Sequence, residues 1–213
     1  MEMKARHIPR LGITGGIGSG KSTALAYLRE LGAAVISSDD IVHSLLRRSD
    51  MVERVAARFG AELVREGETD RAALARVVFA DEAALRWLEH LLHPAVKEAI
   101  ADWALAQEQG PRPPALLAAE VPLLFETGMQ DVFTYVLLVS APDALRRQRS
   151  EAKITDSEFS RRARLQMTDE EKAQRSDFVF DNTGSRRHMK EFVAETYAYV
   201  VTADPPAEAD QER

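Results

Sequence analysis

Short apolar runs alternate along the chain with longer stretches in which apolar residues recur every three or four positions. The runs lie at 11–14, 34–36, 115–119, 135–139 and 178–180, and each is bounded by glycine, proline or charged residues. Runs of that length read as buried strands, and the periodic stretches between them as helices. Leu25, Leu28 and Leu31 repeat at helical spacing, and Gly32 stands where a left-handed C-terminal cap belongs. Strand and helix in alternation predict βαβ units, hence a three-layer α/β fold around a five-stranded parallel sheet.

Between Asp50 and Trp103 no strand is expected. Met51, Val52, Val55 and Phe59, and later Leu85, Leu88, Leu91 and Leu92, mark amphipathic helices punctuated by Gly60, Asp70, Asp81 and Pro94. The stretch from about 49 to 111 reads as a helical insertion in a single domain spanning 1–202, with core segments at about 9–48 and 112–202. An insertion at this point falls beside the carboxyl ends of the strands, where open α/β sheets bind ligands. Plain helical packing would explain the same pattern. The loop from Gly110 to Pro114 delivers the chain into the third strand, and the tail at 203–213, with Pro205-Pro206 and alternating acids, reads as disordered.

Composition narrows the class. Of 213 residues, 45% are hydrophobic and 29% charged, enough apolar material for one soluble globular core. The net charge is −6, and about half of it sits in the acidic tail, where Asp204, Glu208, Asp210 and Glu212 face one base. A charge of that sign argues against a sequence-independent grip on nucleic acid. With no cysteine, disulfides and thiolate metal sites are excluded. The mixed, basic first ten residues do not read as a signal peptide, and no stretch approaches the apolar length of a membrane span. A cytoplasmic protein without a membrane partner is the expectation.

The densest chemistry follows the first strand. Gly15-Gly16-Ile17-Gly18-Ser19-Gly20-Lys21-Ser22, then Thr23, satisfies G-x-x-x-x-G-K-[ST] between a strand and a helix. Glycines let successive N–H groups turn inward around phosphates, and the helix N-terminus favours negative charge. Gly16, Gly18, Ser19 and Gly20 are expected to line this nest, with Lys21 reaching the β- and γ-phosphates of ATP and the Ser22 hydroxyl ligating Mg²⁺. The loop alone leaves the reaction open, since switches, motors and small-molecule kinases share it. No Asn/Thr-Lys-x-Asp guanine-reading element is present, and the third strand ends in a single acid, Glu120. At the end of the second strand Asp39 is placed to orient an acceptor hydroxyl and take its proton, and Asp40 to cap the following helix.

Several further stretches extend the picture. They are the run 12–23, Leu31-Gly32, Val35-Ile36-Ser37-Ser38-Asp39, Asp70-Arg71 with Val78-Phe79, and His93-Pro94. Val121-Pro122-Leu123-Leu124-Phe125-Glu126, Arg162 with Gln166, and Asp181-Asn182-Thr183-Gly184 follow in order. Together they resemble the dephospho-CoA kinase family over about residues 11–201. The resemblance implies a P-loop kinase that phosphorylates the ribose 3′-hydroxyl of dephospho-CoA at the expense of ATP, the last step of coenzyme A synthesis. It implies Asp39 as catalytic aspartate, and Thr14, His93, Pro122, Leu123, Leu124 and Glu126 on the acceptor side. Asn182 and its neighbours would sit near the adenine. Burial in the core is the competing explanation for Leu123, Leu124 and Phe125, and simple packing for His93.

From Arg146 to Arg164 seven basic residues meet three acids. In relatives of the nucleoside-monophosphate kinases a helical lid, here about 146–168, closes arginines over the triphosphate, whose oxygens match the guanidinium fork. Arg149 and Arg162 are the expected phosphate contacts, Arg149 also with a catalytic role, and Lys153 a weaker one. Lys153, Ser37 and Glu120 depart from the family's usual Arg, Asp and Asp. Another small-molecule or nucleoside-monophosphate kinase of this fold remains an alternative, as does a nucleotide switch; an obligate protein partner is not indicated.

Overall fold

A computed structural model describes residues 8–152 and 154–203. The N-terminal segment 1–7, the expected Lys153 contact and the acidic tail from Asp204 onward lie outside the described residues. The chain runs through β1 (Arg10–Thr14), α1 (Lys21–Glu30), β2 (Ala34–Ser37), α2 (Ser38–Leu45) and α3 (Ser49–Phe59). There follow β3 (Val64–Arg65), β4 (Glu68–Thr69), α4 (Arg71–Ala80) and the long α5 (Glu82–Glu108). The second half contains β5 (Leu117–Glu120), β6 (Tyr135–Ser140), α6 (Asp143–Ser150), α7 (Asp156–Arg164), α8 (Asp169–Ala173), β7 (Phe178–Asp181) and α9 (Arg186–Thr202).

Five strands form one parallel sheet in the order β2-β5-β1-β6-β7. Its central strands are near-continuous apolar runs because helices cover both faces, leaving no solvent side to demand polar alternation. Leu11, Ile13, Leu137, Leu138 and Val139 are all fully buried. On one face Leu25 and Leu28 of α1 and Val193 and Val200 of α9 pack onto Leu11, Leu137 and Val139. On the other, Ile8, Leu117, Trp103 and Ala104 form a second cluster. Register sets Ile13 beside both Glu120 and Leu137, and Ser140 beside Asp181. The loops that leave β1, β5, β6 and β7 therefore emerge at the same edge, around the point where the chain changes winding direction.

The chain divides into two compact units, one of residues up to Ile36 together with Trp103 onward, the other Ser37–Asp102. In the second unit Met51, Val52, Val55, Leu74, Val78, Leu88 and Leu92 are buried, and Phe59 meets Trp87 edge-on at 5.2 Å. Asp70 caps α4 by accepting from the Ala73 N–H at 3.0 Å, and its carboxylate also pairs with Arg65 at 3.0 Å.

Two details differ from the sequence expectation. The strandless stretch contains a small antiparallel hairpin, with Val64 opposite Thr69 and Arg65 opposite Glu68. Glu66 and Gly67 form its turn with φ of 52° and 81°, the left-handed pair that a tight two-residue hairpin requires. The cap of α2 is Ser37, whose hydroxyl accepts from the Asp39 N–H at 3.2 Å, and Asp40 lies within the first turn of the helix. Serine is as good an N-cap as aspartate and sits at the extended residue that a cap needs, so Asp40 is not used that way.

Candidate active site

The loop between β1 and α1 is closed by its own hydrogen bonds, with Ser19 N–H donating to the Gly16 carbonyl at 3.2 Å and Thr23 N–H to the Gly20 carbonyl at 3.0 Å. Lys21 is buried, and its Nζ donates to the Gly16 carbonyl at 2.9 Å, so the ammonium is folded back over the mouth of the loop. The Ser19 hydroxyl is buried without a hydrogen-bond partner, an unmet polar group of the kind that marks a ligand site. Gly20, with φ of 109°, has the Asn182 side chain pressed against it: a Cβ there would come within 2.5 Å of Nδ2. That amide donates to the Ser19 carbonyl at 2.7 Å and pins the loop from the β7 side.

Beside the loop, the Ser22 hydroxyl donates to Glu120 Oε1 at 3.2 Å. Glu120 ends β5 and is largely buried, 8% exposed, so a hydroxyl and a carboxylate meet at the foot of the nest. Both are hard oxygen donors of the kind that suit Mg²⁺.

The basic helices distribute their arginines unevenly. Arg146 lies directly on the loop, for a Cβ at Gly16 would stand 1.8 Å from its Nη1. Its Nη2 pairs with Asp143 at 3.3 Å, while Nε is buried without a hydrogen-bond partner. Arg149 instead donates to the Asn182 carbonyl at 3.1 Å, and Arg162 pairs with Glu158. Arg147 is bound to Asp143 and Asp156 and lies over the Phe159 ring, 4.6 Å from its centroid. Which of several neighbouring arginines faces the loop depends on how α6 packs, and the composition of the run carries no trace of it. Asp169 gives no signal in the sequence either. Burial raises the pKa of its carboxyl above its ordinary value, opposed by Arg146, Lys172 and Lys21.

The segment after β5 is a compact set of turns, with Thr127 N–H donating to the Leu123 carbonyl and Met129 N–H to the Leu124 carbonyl. Leu124 is fully buried against Gly12 and Phe125 is buried, so packing accounts for both side chains. Pro122 and Leu123 are half-buried. Thr14 donates its hydroxyl to the Pro122 carbonyl at 3.3 Å, and Glu126 Oε1 pairs with Lys172 at 2.9 Å. The structure thus gathers Thr14, Lys21, Ser22, Pro122, Glu126, Arg149 and Asn182 within one unit.

Asp39 and His93 belong to the other unit. Asp39 is exposed on the first turn of α2. His93 is half-buried within α5, and burial lowers its pKa below the usual 6.5, with Glu89 opposing and His90 adding to the shift. Among the described residues no helix is long and apolar enough to cross a membrane.

Comparison with known proteins agrees with this chemistry. The dephospho-CoA kinase family model matches residues 10–188. A dephospho-CoA kinase of Symbiobacterium thermophilum is 41% identical over 82% of this chain and 74% of its own, and one of Thermus thermophilus is 38% identical over 92% and 95%. A crystal structure of a Thermus thermophilus protein, 36% identical, superposes with a TM-score of 0.77 over 93% of this chain and all of that one. The dephospho-CoA kinase of Campylobacter jejuni, 24% identical with a TM-score of 0.63 over 90% of this chain and 97% of that one, shares the fold. A phosphate loop with a folded-back lysine, a serine–glutamate pair at its foot and a family match across most of the chain lead to one assignment: the chain belongs to the dephospho-CoA kinase family.

Proposed function

We propose that this chain transfers the γ-phosphoryl group of ATP to the ribose 3′-hydroxyl of dephospho-CoA, giving coenzyme A and ADP in the cytoplasm. The carrying observation is the Lys21–Gly16 and Ser22–Glu120 arrangement at the phosphate loop of a family member. The acceptor oxygen forms a bond to the γ-phosphorus as the bridging bond to the β-phosphate breaks, and the hydroxyl proton leaves to a carboxylate or to water. Positioning and charge neutralisation supply most of the acceleration in such a transfer.

The amides of Gly16, Gly18, Ser19 and Gly20, with Lys21, Ser22 and Thr23, hold the phosphates. Their fit to ATP rests on the orphaned Ser19 hydroxyl within the nest. Ser22, supported by Glu120, would hold Mg²⁺, which when bound neutralises phosphate charge. Arg146 joins Arg149 and Arg162 as candidates for the phosphates, and Asn182 braces the loop near the nucleotide. Asp39, matched to the family's catalytic aspartate, orients the acceptor hydroxyl and accepts its proton. Thr14, His93, Pro122, Leu123, Leu124 and Glu126 serve the acceptor side.

The test is ADP release by the purified chain with Mg·ATP and, in turn, dephospho-CoA, AMP, CMP and shikimate. Release above background with dephospho-CoA alone is expected. Preference for another acceptor, or hydrolysis indifferent to all four, contradicts the proposal.

A further inference from the structure

Lys172 is fully buried on α8, an unusual place for an ammonium, and the groups it meets lie far back in the chain. Nζ stands 2.9 Å from Glu126 Oε1 and donates to the Pro122 carbonyl at 3.2 Å. Both partners belong to the turn segment after β5. Glu126 Oε1 also accepts from the Met167 N–H at 2.7 Å, while its Oε2 is buried without a hydrogen-bond partner. The Pro122 carbonyl also receives the Gln166 side-chain amide and the Thr14 hydroxyl, each at 3.3 Å. Three donors thus converge on one carbonyl, one of them from the last residue of β1, immediately before the phosphate loop.

An apolar side chain would hold α8 in place without desolvating a charge, and such replacements of buried ion pairs are often neutral or stabilising. What an apolar residue lacks is direction. Lys172 fixes a carboxylate and a carbonyl four residues apart at once, and with Oε2 unmet, Glu126 depends on Lys172 and one backbone N–H to stay inside. We propose that Lys172 is a positioning residue. It sets the 122–126 segment relative to Thr14 and the phosphate loop, and so governs acceptor alignment without touching substrate. The inference rests on the acceptor-side reading of that segment given above.

Lys172→Met keeps most of the length of the side chain and removes its charge. With ATP saturating, kcat/KM for the acceptor should fall on the order of a hundredfold, the scale of a roughly 1 Å misplacement, while ATP Kd measured without acceptor stays at the parent value. A variant with a lowered melting temperature but the parent kcat/KM would make the pair purely structural and overturn the proposal. So would a parallel loss of ATP affinity. Where Lys172→Met fails to fold, Glu126→Gln/Lys172→Met relieves the unpaired carboxylate and is compared with Glu126→Gln alone. Since Lys172 acts largely through Glu126, the double variant should lose little beyond the single one, and independent additive losses would overturn the idea. The same constants are measured with whichever acceptor the parent phosphorylates, so a wrong acceptor assignment and a wrong role for Lys172 are told apart.

Discussion

Lys21 and Ser22 are neighbours in the chain, yet their side chains serve different groups, Nζ folding onto the Gly16 carbonyl and Oγ reaching Glu120. The helix that begins at Lys21 causes the divergence, because successive residues point about 100° apart around its axis. Lys21→Ala should therefore weaken ATP binding and turnover together. Asp39→Asn should leave ATP Kd at the parent value and lower kcat roughly a hundredfold, the lower range for loss of a positioned proton acceptor. Steady-state kinetics with nucleotide binding by calorimetry checks both, and an Asp39→Asn variant with parent kcat removes the aspartate from the mechanism. His93 gives a pH prediction. Burial depresses its folded-state pKa, so between that value and the usual 6.5 the unfolded chain binds a proton that the native chain refuses. Stability should fall as pH drops below 6.5 through that window, and His93→Gln should flatten the dependence in melting curves recorded as the pH is lowered from neutrality. Unchanged pH slopes would show that the imidazole is equally easy to protonate in both states.

Among the elements, α8 is the shortest helix that matters, with only Asp169–Ala173 to hold Lys172 in place. Five residues cannot sustain a helix by propagation alone, so its ends must be fixed. Thr168 and Glu171 do this reciprocally, the hydroxyl accepting from the Glu171 N–H at 3.2 Å and the carboxylate from the Thr168 N–H at 2.9 Å. Thr168→Ala should cost about 1 kcal/mol in urea unfolding with no change in m-value. A loss within error of zero would mean that tertiary contacts alone hold the helix. The elements also show where sequence reading works. Contiguous apolar runs locate all five sheet strands to within two residues; the inner β1, β5 and β6 are largely buried on both faces, with little polar to interrupt them, while the edge strands β2 and β7 are only partly buried. The β3–β4 hairpin escapes because two-residue strands carry no alternation, although Glu66-Gly67 is a turn signal in retrospect. The phosphate loop is legible because its chemistry is local. Lys172 is not, since its partners lie about fifty residues away and nothing near it in sequence hints at burial.

At the scale of the whole molecule, two units share the predicted residues unequally. The unit with the sheet carries the phosphate loop, Glu120, the basic helices and the Pro122–Glu126 turn, while the helical unit carries Asp39 and His93. The sheet order puts β1 at the centre, so the loop that leaves it lies between the two directions of winding, the place where this architecture binds nucleotides. Which arginine faces that loop is beyond the sequence, since seven similar charges in one short region differ only in the direction that packing gives them. The central claim concerns one bond, between phosphorus and the ribose 3′-oxygen of dephospho-CoA. The direct measurement is mass spectrometry, with fragmentation, of the acceptor after incubation with Mg·ATP and the purified chain. The account predicts a product heavier by one phosphoryl group, with the added phosphate on the 3′-position of the adenosine ribose. A phosphate elsewhere on the molecule, or unmodified dephospho-CoA beside accumulating ADP, would contradict it.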